Sequence, residues 1–393
     1  MNHVQEVPTI YFKLFQFVMV SSFIVFIEPS PYDMSIILLF VISIYMSYLY
    51  FSSYMQVAII FLAIFTVSNL LSVFIAIDPV HSIKYTIITV FLMVTWVCVS
   101  GVLARFNRKG IDVLFNGYTI AAVLSVIIGL AGYLNVLPLE ELVLMEGRVK
   151  SFFKDPNVFG PFLIAPALFA LSKIETSKGS RSVSMWAIIF LLLLLGIILS
   201  FSRGAWVNFV LGAAVYLLFV KVNPKKRFVS FIFVSILSLI LLIYLSTSSD
   251  LVGLFQERFG VQGYDTKRFD VQLAAISTGS DRPLGVGAGQ TELLFNHSTH
   301  SLYIRLFLEN GLLGLLTFIG FLFICMIRCV QKIFSTNGTD RVIFVIILAS
   351  ILGILLNSLF VDTIHWRHFW LLLALPWWNE SIKLNPRSAV DIK

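Results

Sequence analysis

Charged residues are scarce in this chain. They make up 12% of its 393 residues, whereas hydrophobic residues make up 58%, and an ordinary soluble domain has about 25% charged residues. The apolar patches that soluble proteins expose rarely exceed a few hundred Å², so this composition excludes a water-soluble fold. The mean hydropathy of +0.92 indicates a protein whose solvent is lipid.

Cysteines and clustered basic residues are also few. The three cysteines, Cys98, Cys325 and Cys329, lie inside apolar segments, which indicates a packing role rather than a disulfide framework. The net charge of +7 comes from short basic runs between apolar stretches. Nucleic-acid binding instead requires basic residues gathered on one face, so no nucleic-acid partner is expected. The chain also has no Gly-rich ATP-binding loop ending in Gly-Lys-Ser/Thr.

Long apolar runs dominate what remains. A helix needs about 20 apolar residues to cross a bilayer. We predict an all-α polytopic membrane protein, with residues 1–393 forming a single integral membrane domain of about twelve transmembrane helices. The predicted segments are 9–27, 35–51, 55–77, 83–104, 113–134, 157–172, 184–202, 204–220, 228–246, 306–327, 342–361 and 366–379.

Basic residues recur in alternate connections, as the positive-inside rule requires of cytoplasmic loops. This pattern predicts that both termini are cytoplasmic. Two long connections, 135–156 and 247–305, then fall outside, and the second separates helices 9 and 10. Loops of that length are usually functional or disordered. Short apolar patches in 247–305 predict helices that lie on the membrane surface.

Several cations are predicted on the outer side, where orientation does not explain them. They are Arg148, Lys150, Lys154, Arg203, Arg258, Lys267, Arg268, Arg282, Arg305 and Arg367. Arg148, Lys150 and Lys154 precede a predicted helix start with Asp155 as its cap, and they are either interfacial cations or the lining of an anion-binding mouth. Arg203 lies between two apolar stretches, where an arginine costs about 2.5–3.5 kcal/mol at a helix centre. For this residue we favour a functional role over a simple loop position.

Two further clusters add chemistry to this side. Arg268 and Arg282 precede a Gly-rich stretch at 284–290, and arginine can bind phosphate oxygens in a bidentate manner. Backbone N–H groups of such a stretch can approach an anion, although this glycine spacing is common by chance. The segment 297–309 holds His297, His300, Tyr303 and Arg305; a neutral histidine can accept a proton near neutral pH, and spacing alone does not favour His300 over His297.

The segment Asp362 to Trp370 has the composition of an aromatic belt, although Arg367 and His365 could face the same vestibule. Together the outer residues predict a site for a lipid-linked substrate with a phosphate or diphosphate head. Arginines would hold the anion, and a histidine would deprotonate an acceptor hydroxyl. A transporter of a lipid-linked or anionic substrate is the alternative. Transporters typically show internal repeats and midplane charges, and this chain has little of either.

The pairing of LSFSRGAW at 199–206 with THSLYIRLFLENGLLGLL at 299–316 resembles the O-antigen ligase and polysaccharide polymerase family of bacterial inner-membrane proteins. RVKSFFKDPNVFGPF at 148–162 resembles the start of the family's sixth helix, and the resemblance extends from about residue 60 to 375. It implies a metal-independent, inverting glycosyltransferase that needs no cofactor. Its partners would be a polyprenyl-diphosphate-linked glycan donor and a glycan or lipid acceptor, such as a lipid A core, at an extracytoplasmic active site.

The resemblance also implies roles for single residues. Arg203 and Arg268 would bind the diphosphate, and His300 would act as the base. Independently of the resemblance, their place on the predicted outer side makes Arg148, Lys154, Arg282, Tyr303 and Arg305 the further candidates for substrate binding. The family commonly has Asn directly after this histidine, where the chain has Ser301. The motifs do not separate a ligase from a polymerase, because both use the same donor chemistry.

Overall fold

The computed structural model describes residues 8–220 and 263–379, together with residues 224, 225, 227, 228 and 232 between them. These residues are mostly helical. In the first part the helices are α1 (Thr9–Ser21), α2 (Pro31–Tyr45), α3 (Ser53–Val73), α4 (Pro79–Tyr133), α5 (Glu140–Val143), α6 (Pro156–Phe162), α7 (Ile164–Thr176), α8 (Ser180–Leu199) and α9 (Arg203–Phe219). In the second part they are α10 (Gly263–Ser280), α11 (Thr291–Phe295), α12 (Leu302–Ser335), α13 (Gly338–Asn357) and α14 (Arg367–Ala374), followed by a 3₁₀ turn at Leu375–Trp377.

Among the described residues, six helices are long and apolar enough to cross a membrane. They are α3, α4, the joined α6–α7, α8, α12 and α13, and three shorter apolar helices, α1, α2 and α9, accompany them. The expected helical membrane protein is therefore confirmed in outline, and the count of twelve stays a prediction. The predicted ninth helix at 228–246, Arg258 and the first part of the 247–305 loop lie outside the described residues, apart from positions 228 and 232.

Two predicted segments, 83–104 and 113–134, lie in α4, which consists of two helices joined by a kink at Asn107. This residue has φ 46° and ψ −122°, and asparagine tolerates positive φ better than most residues. The basic residues predicted to mark a loop, Arg105, Arg108 and Lys109, flank this interruption. The basic residues predicted a loop between two helices, and the structure has a kink at that position with helix on both sides of it.

The predicted segment 157–172 is divided into α6 and α7 by proline. The ring of Pro166 is incompatible with a regular helix over the preceding turn, because it clashes with the carbonyl of the residue four positions earlier. That residue is Phe162, which ends α6. Its carbonyl oxygen accepts a hydrogen bond from the Tyr118 hydroxyl at 2.8 Å, so the break costs no buried hydrogen-bonding group.

Ion pairs join the connections at the two ends of the helices. At one end, Arg108 beside the α4 interruption contacts Asp340 at the start of α13, at 2.6 Å. At the other end, Lys154 contacts Glu28 at 2.5 Å and Arg367 contacts Asp33 at 2.6 Å. Each of these pairs joins two segments that the charge pattern assigned to the same side of the membrane.

Small residues allow α9 and α13 to pack closely. A Cβ at Gly353 of α13 would overlap the side chain of Asn208 on α9, and one at Gly204 of α9 would overlap the side chain of Asn357 on α13. Small residues at helix–helix contacts are the usual means of close approach in membranes. This interface fixes the first turn of α9, with Arg203, against the end of α13.

We expect Gly353→Ala to lower the free energy of unfolding by about 1–3 kcal/mol, because overpacking of a tight contact forces backbone shifts. Thermal unfolding of the protein in lipid nanodiscs would measure the change. Gly179→Ala is the matched control, since nothing lies within 4 Å of a Cβ at that position. Equal stability of the two variants would contradict the close α9–α13 contact.

Candidate functional site

A cavity of about 810 Å³ lies where α9 begins and α13 ends. Its size is in the range of pockets that hold small-molecule ligands, about 300–1,000 Å³. Four residues that the sequence singled out line it: Arg148, Arg203, Arg268 and His300. The other lining residues are Met145, Glu146, Asp155, Asn157, Phe201, Gly204, Val207, Phe269, Leu356, Asn357, Phe360 and Val361.

Arg148 is held by a small β-hairpin that the all-α prediction did not include. Strands β1 (Leu144–Met145) and β2 (Arg148–Val149) are antiparallel, and Met145 pairs with Arg148. The two turn residues, Glu146 and Gly147, both have positive φ, as type I′ hairpin turns require. Arg148 is 7% exposed, so the hairpin places a mostly buried cation in the cavity wall.

The Arg148 guanidinium joins two other elements of the site. Its Nε donates to the Ser200 carbonyl oxygen at 3.0 Å, and its Nη2 donates to Asn157 Oδ1 at 3.0 Å. Ser200 is the C-cap directly after α8, and Asn157 belongs to the first turn of α6. The guanidinium is therefore fixed in orientation before any ligand binds.

Arg203 is the first residue of α9. Ser202 caps this helix by accepting a hydrogen bond from the Ala205 backbone N–H at 3.3 Å. The N-terminus of a helix carries about half a positive charge from its aligned peptide dipoles. The side chain of Arg203 and the end of its own helix thus place positive potential on the same wall of the cavity.

Arg268 lies on α10 and is tied to two neighbouring segments. Its Nη2 donates to the Phe360 carbonyl oxygen at 3.0 Å. One helical turn later, Gln272 Nε2 donates to the Thr299 carbonyl oxygen at 2.8 Å. Because Thr299 precedes His300, α10 positions both the arginine and the histidine.

His300 has the left-handed backbone conformation, with φ 47°, which is uncommon for a residue with a side chain. Its backbone N–H donates to Ser298 Oγ at 3.2 Å. Partial burial of the ring, followed by the positive charges of Arg268 and Arg305, lowers the pKa of His300 below its usual value. The imidazole is therefore neutral at neutral pH and can accept a proton.

Positive charge exceeds negative charge along the cavity wall. Three arginines line it, against the two carboxylates of Glu146 and Asp155. Asp155 also accepts a hydrogen bond from the Asn157 backbone N–H at 2.6 Å, as the N-cap of α6, so its predicted capping role is confirmed. The excess of positive charge suits an anionic ligand.

The structure places the remaining candidates elsewhere. Lys154 lines a second cavity with His365 and Arg367, so Arg148 and Lys154 do not share one anion-binding mouth. The hairpin and the α6 cap between them direct the two side chains into different cavities. Tyr303 donates its hydroxyl to the Leu355 carbonyl oxygen at 2.9 Å, and Arg282 is exposed outside both cavity linings.

Arg305 is buried in a cluster of carboxylates. Its Nε lies 3.1 Å from Asp362 and its Nη1 lies 3.7 Å from Glu309, while its Nη2 contacts Glu292. Nη2 also donates to Ser298 Oγ at 3.2 Å, the same oxygen that holds the His300 backbone. Arg305 is thus placed to position His300, and it does not line the larger cavity.

The Gly-rich stretch 284–290 does not form an anion cradle, contrary to one interpretation of the sequence. Its N–H groups are used internally: Val286 donates to the Leu308 carbonyl oxygen at 2.9 Å, and Gly289 donates to the Glu309 carboxylate at 2.7 Å. Gly311 interrupts α12 with φ 67°, and the stretch packs against this break. The glycines serve close backbone packing rather than ligand binding.

Asn357 is a site residue that sequence reasoning missed. It is 3% exposed and lines the cavity, and neither its Oδ1 nor its Nδ2 has a hydrogen-bond partner among the described residues. A buried amide without partners costs about 1–3 kcal/mol, so it is a candidate to bind a ligand group. The signal was a single asparagine at the end of an apolar run, which no spacing rule singles out.

Among the described residues, no group of three or more His, Cys, Asp or Glu side chains is placed to hold a metal ion. Among the described residues, the larger cavity takes its positive charge from Arg148, Arg203 and Arg268.

Comparison with known proteins gives one match. Residues 188–319, about a third of the chain, match a family model described as O-Antigen ligase. No curated protein matches the chain. The matched segment includes Arg203, Arg268 and His300, whereas Arg148 lies before it. Over residues 188–319 the chain matches the O-antigen ligase family, which confirms the resemblance found in its motifs.

Proposed function

We propose that this membrane protein is a glycosyltransferase that moves a glycan from a polyprenyl-diphosphate carrier to an acceptor. The observation that carries the proposal is the larger cavity, which brings Arg148, Arg203 and Arg268 together with His300. A diphosphate is the anion that such a cluster suits, since arginine matches phosphate oxygens with two parallel hydrogen bonds. Segment 188–319 of the protein, which holds Arg203, Arg268 and His300, matches the O-antigen ligase family.

In the proposed reaction the acceptor hydroxyl oxygen attacks the anomeric carbon of the donor sugar. The bond from that carbon to the diphosphate oxygen breaks, and the electron pair leaves with the polyprenyl diphosphate. His300 takes the hydroxyl proton as general base. Because attack comes from the face opposite the leaving group, the anomeric configuration inverts. No cofactor takes part.

Arg203 and Arg268 offset the negative charge that develops on the departing diphosphate. Fixed positive groups around a leaving group stabilise the transition state more than the ground state. Arg148 is already oriented by two hydrogen bonds, so it loses little conformational freedom on binding. The Asn357 amide is suited to bind a sugar hydroxyl or a phosphate oxygen beside Arg203.

We place this site on the extracytoplasmic face of a bacterial inner membrane, following the distribution of basic residues. A polyprenyl carrier is consistent with a site at the ends of membrane-spanning helices. The acceptor is either a lipid A core or similar lipid, for a ligase, or another lipid-linked glycan, for a polymerase.

A transfer assay tests the proposal. Purified protein in nanodiscs would be incubated with a polyprenyl-diphosphate-linked glycan, with each candidate acceptor supplied separately, and products would be resolved by gel and mass spectrometry. Transfer to a lipid core would identify a ligase, and glycan ladders from donor alone would identify a polymerase. A folded protein that binds donor but transfers to no acceptor would contradict the enzyme and favour a transporter.

The pH dependence of transfer follows from the lowered pKa of His300. Activity is lost as the pH falls through the pKa of this base in the free enzyme, so the acidic limb of kcat/KM should lie below about 6.5, the ordinary value for histidine. Initial rates between about pH 5 and 8 would locate it. Since Arg268 helps to lower this pKa, Arg268→Gln should move the limb to higher pH. A limb above the ordinary value in the unmodified protein would count against His300 as the base.

A further inference from the structure

A second cavity, of about 320 Å³, lies beside the first. Its walls come from the connection between α1 and α2, the first half of α4, the start of α6, and α14 with the residues before it. Most of its lining is apolar and includes Ile88, Phe91, Val158, Phe162 and Trp366. Ile88 is 41% exposed, so the cavity meets the apolar outer face of α4.

The start of α6 contributes residues to the lining of both cavities. Asp155 and Asn157 line the larger one, whereas Lys154 and Val158 line the smaller one. Neighbouring residues of one short segment thus face opposite sides. A ligand in the smaller cavity would lie across the start of α6 from the arginines and His300 of the larger cavity.

The rim of the smaller cavity holds an anion between two cations. Glu28 Oε1 lies 2.5 Å from Lys154 Nζ and 3.9 Å from Arg367 Nη2. Arg367 is anchored from behind by Asp33, to which its Nε and Nη2 donate at 2.7 and 2.6 Å. The Glu28 side chain is 50% exposed, so this carboxylate can swing away and leave the position between the cations to another anion.

His368 provides a polar group deeper in the wall. It is 4% exposed, and its ring packs against Phe162 and Trp366 with centroids 5.8 and 5.3 Å apart. Its Nε2 has no hydrogen-bond partner among the described residues. A buried polar atom without a partner in a cavity wall calls for a ligand group that can hydrogen-bond to it.

We propose that the smaller cavity binds the head of a phosphate-bearing lipid. The phosphate replaces the Glu28 carboxylate between Lys154 and Arg367, and the start of the lipid chain lies against the apolar lining. An oxygen of the head group near the phosphate hydrogen-bonds to His368. The further assignment of this lipid as the acceptor, held across α6 from the donor, rests on the proposed function.

Lipid binding without turnover tests the site. Native mass spectrometry in detergent would compare lysophosphatidic acid with a monoacylglycerol of the same chain, which lacks the phosphate, and with inorganic phosphate. We expect only lysophosphatidic acid to bind well. Lys154→Gln should weaken its binding about fivefold, the effect of losing one partly exposed ion pair, and Glu28→Gln should strengthen it about threefold by removing the competing carboxylate.

Matched variants control for general charge effects. Lys178→Gln and Glu141→Gln change exposed residues that line neither cavity, and neither should alter binding. Arg203→Ala, in the larger cavity, should leave the responses to the Glu28 and Lys154 substitutions in place.

Three results would overturn the inference. If the monoacylglycerol bound as tightly as lysophosphatidic acid, the cavity would not recognise the phosphate. If inorganic phosphate bound as tightly, the ligand would be a free anion rather than a lipid. Weaker binding in Glu28→Gln would show that this carboxylate does not occupy the anion position. The lipid-binding proposal can be tested separately from the proposed glycosyltransferase activity. Lipid binding at this cavity requires no glycan transfer, and transfer can be absent while the lipid still binds.

Discussion

His300→Ala is expected to reduce the rate of glycan transfer by about 10²–10⁴-fold, the usual contribution of a general base. The imidazole lines the larger cavity and is suited to take a proton at neutral pH, since its pKa is lowered by partial burial and by Arg268 and Arg305. Donor binding should change little, because the arginines hold the diphosphate. Initial rates at saturating donor would measure the loss.

His297→Ala is the matched control for this substitution. His297 is three residues earlier, is exposed, and does not line the larger cavity, so its loss should leave transfer within about twofold of the parent, as for surface substitutions in general. Loss of activity in both variants to the same extent would point to damage to the 296–301 segment rather than to a base. Retained activity in His300→Ala would exclude the assignment.

Arg203→Ala is expected to lower kcat by about 10²–10³-fold, as removal of one group that stabilises transition-state charge typically does. Arg203 combines a guanidinium with the positive end of α9. Arg203→Lys should restore only part of the rate, because an ammonium cannot make the paired hydrogen bonds of a guanidinium. The measurement is kcat and KM for the donor, together with unfolding temperature.

Arg181→Ala serves as the control for Arg203, since Arg181 is an exposed arginine near the start of α8 and lines neither cavity. Full rescue by Arg203→Lys would mean that only charge matters at this position. Unchanged kcat in Arg203→Ala would contradict the role of the α9 N-terminus in the site.

The central site residues were predictable because they belong to short motifs at the ends of apolar runs. Arg203 interrupts such a run, and His300 directly precedes one. Both motifs also resemble a known family, and both residues line the larger cavity. Arg268 required the resemblance, because several arginines share the same predicted loop.

The partners of other residues depend on contacts between distant segments, which spacing does not reveal. Arg305 looked like a substrate ligand from its place in the sequence, and the structure surrounds it with Asp362, Glu309 and Glu292. Asn357 gains its position from α13 packing against Gly204 of α9. Neither arrangement is encoded in a local pattern.

The positions of the predicted segments agree with the helices of the structure better than their boundaries do. Local chemistry explains two of the differences: Pro166 divides one predicted helix, and the loop expected between two others is a kink at Asn107. The hairpin at Leu144–Val149 was missed because its strands are only two residues long, too short for an alternating pattern to show.

The most direct measurement is a cryo-electron microscopy structure of the protein in nanodiscs with polyprenyl diphosphate bound. The account predicts density for the diphosphate in the larger cavity, in contact with Arg203 and Arg268 and within reach of His300. Diphosphate bound only at Lys154 and Arg367, with the larger cavity empty, would contradict it.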